Sequence, residues 1–355
     1  MKVCILGNNL TSLVLAKTLS NMGIAIDIVC DNETLSTNKT RTLAISKNNI
    51  DYFNNDILNI NKLLWKINKI EIYNENISRK KIINFKKNNN YLFSIVKNHE
   101  LYNHFKKNLK KNKLVKFKKK INYLNITNNY KLIFNCNYKN YISKKYFFKT
   151  VNKNYNSIAY TAIINHLKTS ENNTAFQIFT KRGPFAFLPI SKTQTSVVFS
   201  VKGEKNISFD DLIKKYNTKY EVVKISNVNK FKLISSNLRS YHYQNILAFG
   251  DLLHRLHPLA GQGFNMSIRD ISIIEQLVKF KLNHGLDLDK SICSDFEKKT
   301  RHKNLIFSSG IDFIYEFFNL EKKFHNEFFI KTIQLLGKND TINKFFVRVA
   351  DKGIN

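Results

Sequence analysis

Residues 246–270 limit what this chain can fold into more than any other stretch. Four apolar residues, Ile246-Leu247-Ala248-Phe249, end at Gly250-Asp251. After Pro258 come Gly261-Gln262-Gly263 and then a run with Ile271, Ile274 and Val278 on one helical face. Strand, glycine, acid, glycine-rich turn and helix, in that order, predict an α/β sheet that presents a ligand site at the carboxyl end of a strand. Glycine lets backbone come close to a ligand, and the carboxylate accepts hydrogen bonds from hydroxyls. A helix start behind two glycines offers unpaired N–H groups and the positive end of the helix dipole to an electron-rich edge.

The N-terminus repeats this logic. An apolar run from Val3 to Leu6 stops at Gly7, a helix is predicted over Leu10 to Met22 with Leu15, Ala16, Leu19 and Met22 on one face, and Gly23 leads into a strand from Ile24 to Val29. This is a βαβ opening. The dinucleotide fingerprint G-x-G-x-x-G survives in it as Gly7-Asn8-Asn9-Leu10-Thr11-Ser12, with only its first glycine. Asn tolerates left-handed backbone and Ser is small, so a tight turn is retained with a less close approach to a diphosphate. Residues 47–145 are rich in Lys and Asn, with helical periodicity confined to Leu101 to Leu109. Three β-like runs, Ile158 to Ile164, Ala175 to Thr180 and Thr195 to Ser200, predict an antiparallel sheet in the middle of the chain. Helices are expected after residue 250.

The formal net charge of +32 first suggests a polyanion as partner. Its make-up argues otherwise. Fifty of the 58 basic residues are Lys and eight are Arg, the side chain that nucleic-acid sites favour for bidentate contacts. Lys, Asn, Ile, Phe and Tyr, all abundant, share AT-rich codons, whereas Gly (11) and Pro (3) are scarce. Mutational bias on solvated faces explains the charge, and no nucleic-acid partner is expected. The same bias makes surviving Gly and Pro informative, and all three prolines fall in two segments, 181–190 and 250–270. The four Cys (4, 30, 136 and 293) are isolated and expected to be reduced. His254 and His257 have metal-ligand spacing but no third ligand nearby, so no metal is expected. Neither a transmembrane span nor a signal peptide is read, and a cytoplasmic location is expected. Phe307, Ile311, Ile314, Tyr315 and Phe318 recur at helical spacing and are read as core or subunit packing.

Gly250 to Asp270 resembles the G-D-x-x-H-x-x-H-P-x-x-G-Q-G-x-N-x-x-x-x-D segment of FAD-dependent aromatic hydroxylases, most closely the ubiquinone-biosynthesis hydroxylases. Arg41-Thr42-Leu43-Ala44-Ile45-Ser46 resembles the family's R-x-x-A-L-S block, Phe179 to Pro189 its F-T-x-x-G-P-x-A-x-L-P block, and Phe346 to Gly353 its closing F-x-R-x-A-M-G. The resemblance implies that Asp251 holds the ribityl chain of FAD, that Arg41 reaches the diphosphate, and that Gly261, Gly263, Asn265 and Met266 face the flavin ring. Gly7, Gly250 and Pro258 complete the expected cofactor-binding set; no catalytic side chain is singled out. The family's A-D-G-x-x-S-x-x-R appears as Cys136-Asn137-Tyr138-Lys139-Asn140-Tyr141-Ile142-Ser143-Lys144, with Asn137 and Tyr138 replacing Asp and Gly.

What the resemblance implies is an α/β, Rossmann-like FAD-binding domain of the aromatic hydroxylase type with an inserted antiparallel-sheet substrate domain. Residues 1–150 would form its first part, 151–240 the substrate region, 241–300 its second part and 301–355 C-terminal helices. The implied activity is a monooxygenase that hydroxylates a polyprenylated ubiquinone precursor through a flavin hydroperoxide. Its implied partners are the polyprenylated phenol, O2 and an electron donor such as NAD(P)H, with a ubiquinone-biosynthesis complex and peripheral contact at the inner face of the cytoplasmic membrane. The alternative is a degenerate FAD-binding, non-catalytic subunit of such a complex, motivated by Asn137 and Tyr138.

Overall fold

The computed structural model describes residues 2–30, 39–75, 81–86, 91–119, 123, 126–203, 208–256, 262–324 and 353. His257, Pro258, Gly261 and the stretch 346–352 lie outside the described residues.

The opening folds as its pattern predicts. Strand β1 (Lys2–Leu6) leads through Gly7 into helix α1 (Leu10–Asn21), and Gly23 turns the chain into β2 (Ala25–Val29). The strands pair in parallel from Lys2↔Ala25 to Leu6↔Val29. Then come β3 (Thr42–Ser46), the short helix α2 (Lys47–Tyr52), β4 (Trp65–Ile67), β5 (Lys69–Asn74), β6 (Lys81–Lys86), β7 (Phe93–Lys97) and α3 (Asn98–Lys110). The helix around Leu101 is the one its periodicity predicts, with Leu101, Tyr102, Phe105 and Leu109 buried. β8 (Val115–Lys118), the single turn α4 (Ile126–Asn129), β9 (Ile133–Asn135) and α5 (Tyr141–Tyr146) follow.

The middle of the chain is β10 (Thr150–His166), β11 (Thr174–Thr180), β12 (Gly183–Pro189), β13 (Gln194–Lys202), α6 (Phe209–Tyr216), β14 (Val222–Ile225) and β15 (Asn229–Leu238). After β16 (His242–Tyr243) and β17 (Ile246–Ala248), a tight turn at Gly250–Leu252 precedes β18 (His254–Arg255) and the long helices α7 (Gln262–Asn283) and α8 (Ser291–Phe324).

Three sheets result. The first runs β16-β17-β9-β1-β2-β8, and all its pairings are parallel except that of the edge strand β16. Val3 to Leu6 are all buried, as a strand covered on both faces requires. One apolar core joins this sheet to α1, α3 and α7 through Leu13, Leu15, Phe105, Phe134, Ile271 and Ile274. The second sheet has nine strands, β18-β15-β10-β13-β12-β11-β5-β6, with β14 also on β10. It is larger than the sequence pattern indicates. β10 begins at Thr150, Gly183–Pro189 is itself a strand, and β5 joins parallel to β11, with Ile70 and Ile72 on one face and Lys69 and Glu71 on the other. Phe185, Phe187 and Phe199 pack from it onto Ile213 and Tyr216 of α6. The third sheet, β3-β7-β4, stacks Ile67 and Ile95 against Ile163, Ala175 and Ile190.

The parallel sheet is thus assembled from three separate stretches of chain, 2–29, 115–135 and 242–248. Their carboxyl ends come together at one rim.

Candidate functional site

Three turns meet at that rim. The first follows β1, where the Gly7 N–H donates to the Val29 carbonyl at 2.7 Å and Gly7 sits at φ +104. A Cβ there would lie 3.2 Å from the Cβ of Asn137, just past the end of β9. The second follows β17: Gly250 has φ +61, and its Cβ would lie 3.0 Å from Cγ2 of Thr11 on α1. Only glycine combines these backbone angles with so little space. The ends of β1, β9 and β17 therefore converge on the start of α1, which is the arrangement a dinucleotide needs.

The turn before α1 is closed differently from a three-glycine turn. Asn9 is the N-cap, and its Oδ1 accepts from the Ser12 N–H at 2.9 Å and the Ser12 hydroxyl at 3.0 Å. Its Nδ2 donates to the Cys136 carbonyl at 2.8 Å, tying the helix start to β9. One helix N–H is thereby occupied by the protein's own side chain. Past β9, a polar cluster fixes the chain at Asn137–Tyr138. Asn135 Nδ2 donates to Ser143 Oγ at 2.9 Å, Asn140 Nδ2 to Asn135 Oδ1 at 2.9 Å, and Ser143 Oγ to the Asn137 carbonyl at 2.5 Å.

Asp251 is exposed at the rim. The buried Cys136 thiol beside it is pushed up to about 12, chiefly by burial; a Ser12 hydrogen bond opposes this and the Asp251 charge adds to it. His254, one turn on, is not free to ligate a metal, because its Nε2 lies 2.6 Å from Asp270 Oδ2 with both side chains buried. Asn304 Nδ2 donates to the other Asp270 oxygen at 3.3 Å, so the pair locks β18 to α7 and α8. Among the described residues no group of three His, Cys, Asp or Glu is arranged to hold a metal.

Of the remaining expected cofactor residues, Gly263 lies in the first turn of α7, where an added Cβ would meet nothing within 4 Å. Gln262 beside it keeps a buried Oε1 without a partner among the described residues. Asn265 and Met266, expected at the flavin ring, have side chains turned into the body of the protein. Asn265 Oδ1 accepts from the Ser46 N–H at 3.0 Å and Asn49 Nδ2 at 2.9 Å, and its Nδ2 donates to the Ala44 carbonyl at 2.8 Å. Met266 packs with Phe307 and Ile311 and borders a cavity of about 510 Å³ between α2, α7 and α8. Neither Gly7, Gly250 nor Asp251 lines that cavity. Both side chains are therefore committed to the protein's own packing, and the unpaired N–H groups of the α7 start belong to residues ahead of them. Arg41 is exposed just before β3, its carbonyl accepting from the Asn98 N–H at 3.0 Å. Pro258 and Gly261 lie outside the described residues.

Sequence reasoning passed over Asn9, Thr11 and Arg255. The signal for Asn9 was present, since Asn immediately before an apolar helical run is a favoured N-cap.

The Gln262 Oε1 without a partner among the described residues, the open space at Gly263 and the Gly7–Gly250 rim are compatible with FAD, whose diphosphate would be held at α1 and whose ring would be held at α7.

The comparisons with known proteins agree with this geometry. The family model for the FAD binding domain matches residues 175–280. Similar curated proteins include the zebrafish (Danio rerio) mitochondrial ubiquinone biosynthesis monooxygenase COQ6, 25% identical over 207 residues that make up 46% of this chain and 43% of that protein. Another is the Escherichia coli K12 3-demethoxyubiquinol 3-hydroxylase, 26% identical over 157 residues, 41% of this chain and 40% of that one. The alignments span less than half the length of these relatives. Among solved structures, p-nitrophenol 4-monooxygenase PnpA from Pseudomonas putida superposes with a TM-score of 0.78 at 11% identity, covering 97% of this chain and 96% of that one. A Klebsiella pneumoniae HpxO variant complexed with FAD gives 0.75 at 10% identity, covering 99% of each. The chain has the fold of these solved structures, and over less than half of its length it is similar in sequence to the two ubiquinone-biosynthesis enzymes.

Proposed function

We propose that this relative of the ubiquinone-biosynthesis hydroxylases binds FAD at the Gly7–Gly250 rim and hydroxylates the aromatic ring of a polyprenylated ubiquinone precursor. The observation that carries the reading is the convergence of Gly7, the Asn9-capped start of α1 and Gly250–Asp251 on one rim, assembled from stretches of chain more than 240 residues apart. Bound there, reduced FAD would supply the oxygen chemistry, its two electrons allowing one atom of O2 to go to an electron-rich ring and the other to leave as water.

The chain's own residues have the tasks of binding, orienting and excluding water. The exposed Asp251 carboxylate accepts from ribityl hydroxyls. Arg41 and the α1 dipole take the diphosphate. The first-turn N–H groups of α7 would hold the polar edge of the ring system, and the Asn265 side chain anchors that turn to β3 and α2. The nine-stranded sheet forms the wall against which the substrate ring is held.

A second reading, an FAD-binding subunit without turnover, draws on Asn9 filling one helix amide and on Tyr138 standing where the resembling family has glycine. Two measurements separate the readings: the flavin absorbance of the purified protein, and O2 uptake with a prenylated phenol and NADPH. Uptake coupled to hydroxylated product supports the enzyme, whereas bound flavin without uptake supports the subunit. Asp251→Ala is expected to lose most of the flavin, since a hydrogen bond to a charged group is worth about 1.5–3 kcal/mol. An Asp251→Ala protein that keeps FAD as tightly as the parent refutes the placement.

A polyprenyl tail stays in a bilayer because each buried methylene is worth about 0.8 kcal/mol, so the enzyme works at a membrane surface. Among the described residues no helix is long and apolar enough to cross a membrane. The contact proposed is peripheral, by lysines on anionic headgroups.

A further inference from the structure

Arg255 occupies a position that the function just described does not use. Its guanidinium carbon lies 3.7 Å from the ring centroid of Tyr138, a stacked cation–π contact. Its Nε donates to the Asp251 carbonyl at 3.2 Å. Its backbone is held in β18, where Arg255 pairs with Ser236 of β15, and the preceding residue is the buried His254 locked to Asp270. One face and one edge of a planar cation are thus fixed, and its two terminal nitrogens have no partner among the described residues. An arginine braced in this way has already lost much of its side-chain freedom and presents a pre-set pair of donors.

The residues that brace it belong to the dinucleotide rim. Tyr138 follows Asn137, which stands over Gly7, and Asp251 follows Gly250, which stands against Thr11. The α1 start at this rim is a weakened anion site, because Asn9 Oδ1 consumes the Ser12 N–H that an open glycine turn would offer. Arginine is also rare in the chain, eight residues against fifty lysines. A lysine here would keep the charge but could not lie flat on Tyr138 and would lack the fixed planar pair of terminal donors.

We infer that Arg255, braced on Tyr138, is a diphosphate-binding residue of the flavin site, and that it supplies the charge neutralisation the Asn9-capped turn no longer gives. The inference rests on the reading that the rim holds FAD. The anionic part of FAD is its diphosphate; riboflavin has the same ring and ribityl chain without phosphate.

The test is flavin-fluorescence titration of flavin-free protein with FAD and with riboflavin, for the parent, Arg255→Gln, Tyr138→Phe and Tyr138→Ala. Arg255→Gln is expected to weaken FAD at least tenfold while leaving riboflavin within twofold. Tyr138→Phe, which keeps the stacking face, is expected to bind FAD as the parent does, and Tyr138→Ala to weaken it several-fold. FAD affinity unchanged in Arg255→Gln overturns the inference and leaves the flavin reading standing. Equal loss of FAD and riboflavin also overturns it, since Arg255 then acts by holding the Asp251 backbone or the fold. A parent protein that binds neither flavin overturns both.

Discussion

Asn265 makes a quantitative test of how the ligand rim is held in place. Its side chain reaches from the first turn of α7 to the end of β3 and to α2, receiving the Ser46 N–H and the Asn49 amide and donating to the Ala44 carbonyl. All three bonds are between 2.8 and 3.0 Å, and Asn265 itself is 1% exposed. Asn265→Ala deletes them together. Three net hydrogen bonds at about 1 kcal/mol each give about 3 kcal/mol, and leaving the buried Ser46 N–H unpaired adds about 1–2 kcal/mol. A loss of about 4 kcal/mol is a large part of the roughly 5–15 kcal/mol that a folded domain holds in reserve. Urea denaturation followed by far-UV circular dichroism measures it directly, and the slope against denaturant should stay constant while the midpoint falls. Met266→Leu, which keeps volume in the Phe307–Ile311 cluster, is the control and should cost less than about 1.5 kcal/mol. A loss below 1 kcal/mol in Asn265→Ala would mean that water or a shifted α7 replaces the bonds. The view of Asn265 as the anchor of the α7 start would then be wrong.

Asp27 carries a pH prediction. Burial alone would raise its carboxyl, but hydrogen bonds from Lys118 and Tyr130 and the charges of Lys118 and Lys2 hold it below the ordinary carboxylate range. A depressed folded-state pKa stabilises above the unfolded value, near 3.8, and that stability is lost as pH falls through the folded value. Acid unfolding of Asp27→Asn should therefore depend less on pH below about 4 than that of the parent; parallel acid titrations would sink the assignment. Among the thiols, burial raises Cys4, Cys136 and Cys293, whereas Cys30 is only half-buried. Iodoacetamide at pH 8 should label Cys30 first, and peptide mapping that finds Cys136 labelled first in folded protein would contradict the closed rim. Flotation with liposomes checks the membrane reading, which expects salt-sensitive binding to anionic vesicles. Equal, negligible binding to neutral and anionic vesicles refutes it.

The parts of the fold legible in the sequence are those where local pattern and tertiary environment ask for the same residues. Val3 to Leu6 and Ile246 to Ala248 read as strands because a sheet covered on both faces wants unbroken apolar runs. Leu101 to Leu109 read as helix because a half-buried helix wants the 3.6-residue stripe. β5 and β6 escaped because their pairing is decided elsewhere. The Lys69–Asn74 run is short and rich in polar residues, and it becomes a strand by lying parallel to β11, whose register runs from Lys69↔Thr174 to Asn74↔Phe179. No local signal encodes a partner a hundred residues downstream. β12 was obscured by its own punctuation, since Gly183, Pro184 and Pro189 read as turn residues.

The candidate site divides along the same line. Gly7, Gly250 and Asp251 were legible because the positive-φ turn and the strand-end acid are requirements on single residues, and each left its mark at its own position. The resemblance marked Asn265 as a site residue, but the partners of its amide, Ala44, Ser46 and Asn49, are fixed only when α7 docks on β3. Arg255 left no mark of its own, being one basic residue among 58. Its meaning arises from a stack on Tyr138, a residue that in sequence looked only like damage to a glycine motif. The two departures at this rim are physically coupled. Asn9 closes the amide turn that glycines would leave open, and Tyr138 provides the surface on which a guanidinium can be held beside it. If a glycine stood at 138, as in the resembling family, Arg255 would keep its single bond to the Asp251 carbonyl and swing about it. Such a freely rotating arginine pays its ordering entropy on binding an anion, a cost of about 0.5–1.5 kcal/mol that the tyrosine removes in advance. An eroded motif and an unusual aromatic at one rim are then a single arrangement for holding a diphosphate.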